Sequence, residues 1–169
     1  ILNAIYAKTG QTGVLYQIRN VLYKERKQQM TDVRDVLCEG GDALYRIDYH
    51  YVQGTEMHGI IVGGNIRCFL KLSGTAYMPD LNGKILLLES RSGTVARMET
   101  YLSQLQQIGA FEQIAGILLG TFTEMEAKQC MPDIVQLVKK YVRKTMPIAV
   151  TKQIGHGTDA KGIVIGGEL

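Results

Sequence analysis

Apolar positions in the second half of the chain follow two alternating patterns. The runs KILLLE, AGILLG and MPIAV are wholly apolar and predict buried strands, whereas VARMETYLSQLQQIG and MPDIVQLVKKYVRKT are amphipathic and predict helices. In the second of these helices we expect Pro132 in the first turn. Apolar strands that alternate with helices are typical of parallel strands joined by right-handed crossovers. We therefore predict an α/β fold with parallel strands joined by helices.

The first third of the chain has weaker periodicity. ILNAIYAKTG predicts the back half of a helix, because its apolar residues share one face and Gly10 suits the position after a helix end, whereas no start signal precedes it. We predict a further helix from Val14 to Lys27. A short helix over TDVRDVLCEGG would be capped by Thr31 or Asp32.

Two strands and one short helix are predicted between these regions. The Tyr-rich stretch ALYRIDYHYVQG alternates and predicts a strand, which would add another sheet or an antiparallel edge. MHGIIVGGN predicts a second strand that glycines end, and IRCFLKLSG predicts a short helix.

Composition narrows the classes of function. Of 169 residues, 46% are hydrophobic and 21% charged, and the net charge of +3 is too small to indicate nucleic acid or an anionic membrane as partner. No apolar run approaches the roughly 18 residues of a membrane span. The three cysteines form no Cys-x-x-Cys pair, which favours free, mostly buried thiols in a reducing, cytoplasmic setting. Because the three histidines show no ligand spacing with one another or with the cysteines, we predict no metal. We also predict no cofactor.

Two residues that follow predicted strands are candidates for chemistry. Glu89 ends the apolar run that begins at Ile85, and His156 lies between Gly155 and Gly157 just after MPIAV. Ligand sites of parallel α/β sheets gather at the carboxyl ends of strands, so these two side chains can meet. A carboxylate that accepts a hydrogen bond from an imidazole sets its tautomer and stabilises its cation, and flanking glycines allow close approach of a substrate or a partner domain.

Simpler interpretations of these residues stay open. A glutamate at a strand end is more often solvated or a cap, and a histidine in a glycine loop is more often only polar. GIIVGGN lacks the spacing of a dinucleotide or phosphate loop, so Gly63 and Gly64 are weak candidates for phosphate binding.

Four segments carry a resemblance to a known family. ILNAIYAKTG, GIIVGGNIRCFLKLSGTAYMPDLNGKILLLES, ARMETYLSQLQQIGAFEQIAGILLGTF and MPIAVTKQIGHGTDAKGIVIGGEL occur in the order typical of the LD-carboxypeptidases. This family of muramoyltetrapeptide carboxypeptidases includes the microcin C immunity peptidases. The Gly-Gly-Asn block, the strand end at Leu-Glu and the Gly-His-Gly turn are specific in combination.

The resemblance implies a metal-free serine peptidase with two domains. The N-terminal domain would carry the serine, and the swivelling β/β/α-type C-terminal domain would carry Glu89 as the triad carboxylate and His156 as the general base. It also implies supporting roles for the motif residues Gly63, Gly64, Asn65, Gly155 and Gly157. The nucleophile domain and a murein peptide would be the partners, and a homodimer stays open.

The same resemblance divides the chain into three units. Residues 1–12 would be a remnant helix of the missing nucleophile domain, residues 13–45 a connecting segment with helices, and residues 46–169 the catalytic C-terminal domain. No residue matches the nucleophile motif, and Ser73, Ser90 and Ser103 stand in no matching motif. QTGVLYQIRN also departs from the family pattern, as does Ser90, where the family usually has Asp.

The expected function is the C-terminal half of a serine LD-carboxypeptidase that removes terminal D-Ala from murein tetrapeptides in cell-wall recycling. Alone, this chain would be inactive because it lacks the nucleophile. One alternative is a microcin-immunity-type hydrolase of peptidyl nucleotides, although the chain has no Trp to stack a base. Others are a peptide-binding module and a purely structural domain, and the structural domain predicts that Glu89 and His156 do not touch.

Overall fold

The computed structural model describes residues 1–22 and 26–169, and in this part of the chain a five-stranded sheet and a two-stranded sheet are found. The strands are β1 (Gly13–Leu15), β2 (His50–Gln53), β3 (Ile61–Asn65), β4 (Ile85–Ser90), β5 (Gly116–Phe122), β6 (Ile148–Val150) and β7 (Ile163–Ile165). The helices are α1 (Leu2–Thr9), α2 (Lys27–Arg34), α3 (Ile66–Leu70), α4 (Val95–Gln107), α5 (Ala110–Gln113), α6 (Thr123–Ala127) and α7 (Ile134–Tyr141). A 3₁₀ helix spans Ile18–Leu22, and a π-helical turn spans Asp35–Glu39.

The larger sheet has the strand order β2-β6-β5-β4-β3. Strands β3, β4, β5 and β6 run parallel, and helices occupy the connections between them. Strand β2 pairs antiparallel with β6 at one edge, while β1 and β7 form the separate antiparallel pair. The predicted α/β class with parallel strands joined by helices is confirmed, and the Tyr-rich stretch supplies the antiparallel edge.

The apolar core lies on both faces of the larger sheet, because successive side chains of a strand point to opposite faces. On β4, Leu86 and Leu88 pack in the larger cluster with the helices, while Ile85 and Leu87 pack in a second cluster that includes residues of β7. Glu89 follows the alternation of Ile85 and Leu87. The end of β4 therefore points a carboxylate toward the face that β1 and β7 cover.

Both predicted amphipathic helices are present, but α7 spans only Ile134–Tyr141 and is shorter at both ends than the predicted segment. Helix α4 buries Met98, Leu102 and Leu105, whose spacing puts them on one face. Helix α7 begins after Asp133, whose side chain accepts a hydrogen bond from the Gln136 backbone N–H at 2.8 Å. The expected place of Pro132 in the first turn is wrong, since that residue precedes the cap. Among the described residues, no helix is long and apolar enough to cross a membrane.

The predicted helix from Val14 to Lys27 is wrong where the structure describes it. Residues Gly13–Leu15 form β1, which pairs with Ile163–Ile165 near the other end of the chain, and Ile18–Leu22 form a 3₁₀ helix. Residues 23–25 of this prediction lie outside the described residues. Long-range pairing decided the outcome, because a three-residue strand carries too little periodicity to be recognised.

Two other local predictions were wrong in their boundaries. Helix α2 begins at Lys27, so Thr31 and Asp32 lie inside it rather than at its start, and the Asp32 carboxylate accepts a hydrogen bond from Gln28 at 2.7 Å. The predicted strand over residues 43–54 is formed only at His50–Gln53, which alone face β6. The division into residues 1–12, 13–45 and 46–169 stays a prediction.

The cysteines are free, as expected, but they are not mostly buried. Cys38 and Cys68 are exposed and Cys130 is half-buried. Cys68 lies on the short helix α3, whose buried positions are taken by Ile66, Phe69 and Leu70.

Gly63 supports a first prediction, because β3 approaches β4 too closely there for a side chain. Gly63 has φ +111°, and a Cβ would lie 2.2 Å from the Leu87 carbonyl oxygen. We expect Gly63→Ala to lower the free energy of unfolding by at least about 3 kcal/mol, since backbone strain and a backbone clash add. Urea denaturation measures this loss.

The matched control is Gly74→Ala, which has a similar need for positive φ but open space around its Cβ. Backbone strain alone should cost about 1 kcal/mol there. Equal losses in the two variants would contradict a steric role for Gly63.

Candidate functional site

Glu89 lies at the carboxyl end of β4 and is 4% exposed. Its strand neighbour in register is Asn65 of β3, which also begins helix α3 by accepting a hydrogen bond from the Cys68 backbone N–H at 3.3 Å. A carboxylate in such a position has lost most of its water. It therefore needs a donor from the protein to remain charged.

His156 supplies the contact that Glu89 needs. It lies in the loop between β6 and β7, and its Nδ1 is 2.8 Å from Glu89 Oε2. Apart from each other, neither atom has a hydrogen-bond partner among residues 1–22 and 26–169. Because Nδ1 faces Glu89, Nε2 is left for proton exchange with a ligand. The contact also contradicts the purely structural alternative, which predicts that the two residues are apart.

The glycines of the two motifs allow close backbone approach within the fold. A Cβ on Gly155, which has φ +138°, would lie 2.0 Å from Thr121 Oγ1, so glycine lets the histidine loop reach β5. A Cβ on Gly157 would lie 2.8 Å from an Asp159 carboxylate oxygen. Gly64 faces the Leu15 side chain of β1. Gly63 and Gly155 therefore allow the close approaches between elements, whereas the contact at Gly157 lies within the histidine loop.

Burial sets the protonation behaviour of Glu89. It raises the pKa of the Glu89 carboxyl above its ordinary value, and this effect outweighs the charge of His156 and the hydrogen bonds from Asn65 and His156, which lower that pKa. The charge of His156 and these hydrogen bonds therefore offset only part of the cost of burying the Glu89 carboxylate.

A cleft of about 350 Å³ opens beside the pair. Three cations line it: Arg67 at the start of α3, Arg91 just after β4, and Lys161 before β7. Lys161 is 3.7 Å from Asp32, whereas Arg67 and Arg91 make no ion pair within the described part of the chain. The cleft therefore carries unneutralised positive charge next to His156, which favours an anionic ligand group.

The sequence prediction missed the three cleft residues of the 13–45 segment, which are Leu15, Tyr16 and Gln17. The Tyr16 hydroxyl is buried and has no hydrogen-bond partner among the described residues. Burial raises the pKa of Tyr16, the charge of Asp32 adds to this, and the charge of Arg26 opposes it. The segment was assigned to a helix, and no local pattern indicated that β7 would hold it against the histidine loop. Among the described residues, no group of ligand-type side chains could hold a metal ion.

The mixed α/β sheet and the buried carboxylate–imidazole pair at its strand ends define an arrangement that hydrolases use for proton transfer. Residues 58–169 match the family described as the LD-carboxypeptidase C-terminal domain. The chain belongs to the LD-carboxypeptidase family.

Known relatives agree with this assignment. A protein of Treponema pallidum (strain Nichols) named "Putative carboxypeptidase" is 33% identical over 126 residues, which are 72% of this chain and 36% of that protein. The fold is similar to that of the microcin C7 self-immunity protein MccF in its wild-type apo state, with a TM-score of 0.78, 15% identity, and coverage of 99% of this chain and 60% of that one.

A muramoyltetrapeptide carboxypeptidase from Oxalobacter formigenes gives a TM-score of 0.72 at 17% identity, with 99% of this chain and 61% of that one covered. The chain thus spans about a third of the length of the Treponema relative and about three fifths of the solved structures. At such low sequence identities the structural matches show that the folds are similar and nothing more.

The raised pKa of Glu89 predicts a pH-dependent stability. Below the ordinary pKa of a glutamate both the folded and the unfolded chain hold the proton. As pH rises toward the raised folded-state pKa, only the folded chain retains it, so stability is lost across this window. Relative to Glu89→Gln, the wild type should therefore lose free energy of unfolding as pH rises. Urea denaturation at a series of pH values measures the difference.

The exposed residue Glu112 provides the control. The difference between the wild type and Glu112→Gln should change much less with pH. A Glu89→Gln difference that is constant, or that moves in favour of the wild type with rising pH, would contradict the raised pKa.

Proposed function

We propose that this chain is the acid/base half of a serine-type LD-carboxypeptidase, and that an N-terminal domain supplies the nucleophile. The observation that carries the proposal is the 2.8 Å contact between His156 Nδ1 and Glu89 Oε2 beside an open cleft. The family assignment of residues 58–169 supports the same reaction class.

Among the described residues no serine hydroxyl is hydrogen-bonded to the His156 ring, although Ser90 and Ser92 line the cleft. Ser90 lines the cleft, but its Oγ donates to the Ser92 carbonyl at 2.8 Å. Ser103 is hydrogen-bonded to the Tyr141 hydroxyl at 3.0 Å, away from the cleft. A serine from another domain, brought to the open side of the cleft, would complete the triad. We therefore expect the chain alone to be inactive.

In the proposed reaction, His156 accepts the proton of the incoming serine through Nε2 while the serine oxygen attacks the scissile carbonyl. Glu89 holds the ring through Nδ1 and stabilises the imidazolium. The imidazolium then gives its proton to the leaving amine, and an acyl-enzyme remains. Water attacks the acyl-enzyme with His156 again as base, which restores the serine.

We propose that the substrate is a murein tetrapeptide and that the product is terminal D-Ala, released in cytoplasmic cell-wall recycling. The amine-bearing L-centre of the peptide would precede the scissile bond. Arg67 and Arg91, which make no ion pair with another described residue, suit the carboxylates of such a peptide. The alternative substrate class is a peptidyl nucleotide, as a microcin-immunity-type hydrolase would take.

The test is release of D-Ala from a murein tetrapeptide by this chain joined to the residues encoded upstream of Ile1. We expect the joined protein to cleave and the chain alone to be inert. His156→Ala and Glu89→Ala should each lower kcat by about 10⁴-fold, the scale of loss when a triad member is removed. His58→Ala, which changes an exposed histidine, should leave kcat unaltered.

Two results would contradict this proposal. Peptide binding without turnover by the joined protein would identify a binding module instead. Turnover of a peptidyl nucleotide, with none of the tetrapeptide, would assign the microcin-immunity type of hydrolysis.

A further inference from the structure

The loop that carries His156 has no regular structure to hold it. Residues 151–162 between β6 and β7 form neither helix nor strand. On one side the loop is tied to Thr121 of β5, whose backbone N–H donates to the Ile154 carbonyl at 2.8 Å. The His156 N–H donates to Thr121 Oγ1 at 3.3 Å. Glycines on both sides of His156 leave the backbone free to rotate unless a second attachment exists.

The 13–45 segment makes that second attachment. Gln17 Nε2 donates a hydrogen bond to the Gly155 carbonyl. Asn20 Nδ2 donates to the Gly157 carbonyl at 3.4 Å. The two acceptors are the carbonyls of the residues on either side of His156. Gln17 follows β1 closely, and Asn20 lies in the 3₁₀ helix Ile18–Leu22. Antiparallel pairing with β7 holds β1 in place just before them.

Asn20 has little freedom to turn away from the loop. It is fully buried, and its Oδ1 accepts a hydrogen bond from the Arg26 guanidinium. Because an amide oxygen only accepts and the amide nitrogen only donates, this contact directs Nδ2 toward Gly157. A buried amide with both ends paired is costly to disrupt, since its polar groups would lose partners away from water.

The end of the loop is tied to the same segment. Lys161 Nζ donates to the Ala43 carbonyl at 3.0 Å, and the Gly162 N–H donates to the Leu44 carbonyl at 3.0 Å. Residues 13–45 are therefore hydrogen-bonded to the loop on both sides of His156 and again just before β7. None of the segment's contributing residues belongs to the family-matched region 58–169.

We propose that Gln17 and Asn20 are positioning residues that hold the His156 loop so that Nδ1 faces Glu89 and Nε2 faces the cleft. We call this pair of side chains the amide clamp. The effect of the amide clamp on turnover rests on the proposed function. Its effect on the orientation of the His156 ring is independent of that function. Without the clamp, rotation at Gly155 and Gly157 would let the ring leave the 2.8 Å contact with Glu89. Without this contact, Glu89 would no longer favour the ring tautomer that carries its proton on Nδ1.

The variants Gln17→Ala and Asn20→Asp test the clamp in the upstream-joined protein. Asn20→Asp keeps the shape and the acceptor for Arg26 but replaces the donor to the Gly157 carbonyl. The matched control is Gln53→Ala, because Gln53 Nε2 donates to the carbonyls of Arg143 and Met146, at 3.1 and 2.8 Å, away from the cleft.

The first measurement is the tautomer of the neutral His156 ring by ¹H–¹⁵N NMR, with its signal assigned through His156→Ala. We expect the proton on Nδ1 in the wild type and in Gln53→Ala, and a mixture of tautomers in both clamp variants. The second measurement is kinetics, in which kcat should fall by about 10- to 100-fold with little change in KM, since misplacement by about 1 Å has effects of this size.

The clamp is refuted if Gln17→Ala keeps the wild-type tautomer and kcat, and this result decides even if Asn20→Asp fails to fold. D-Ala release by the wild type would leave the proposed function standing in that case. Conversely, a wild-type protein that releases no D-Ala, with a tautomer change in the clamp variants, would refute the proposed function and support the clamp.

Discussion

A carboxylate buried at the end of a strand is unfavourable unless the fold brings a donor to it, and the candidate site depends on how this requirement is met. Glu89 follows the alternation that sends Ile85 and Leu87 into the face under β7. The donor comes from a loop after β6, two strands away in the sheet. Gly155 and the pairing of β1 with β7 both help to hold His156 within reach of Glu89.

The pair of Glu89 and His156 supplies a carboxylate and an imidazole but no nucleophile. His156 lines a cleft together with Arg67 and Arg91, which make no ion pair in the described ranges, and no described serine is hydrogen-bonded to its ring. Membership in the LD-carboxypeptidase family supports acyl transfer as the reaction class. The proposed division of labour leaves charge recognition, ring orientation and proton transfer to this chain, and the nucleophile to another domain.

The segment before the family-matched region contributes more to the site than its sequence suggests. Its polar side chains contact backbone carbonyls of the histidine loop, while its apolar strand residue Leu15 packs in the cluster under β4. Such contacts keep a glycine-flanked loop in one conformation without using bulky side chains near the cleft. A change in this segment can therefore act on the imidazole without touching a ligand.

The sequence by itself determined the elements whose signals are local. Periodicity and burial account for the apolar runs of β4 and β5 and for the spacing of Met98, Leu102 and Leu105 on α4. They also place Glu89 at the end of a strand and His156 after one. Only the tertiary structure decided that Gly13–Leu15 is a strand, that Asp32 lies inside a helix, and that Tyr16, Gln17 and Asn20 lie beside the histidine loop. The physical reason is that these outcomes depend on partners more than 100 residues away, or on side chains whose local preferences are weak, so that burial against β7 and the loop outweighs propensity.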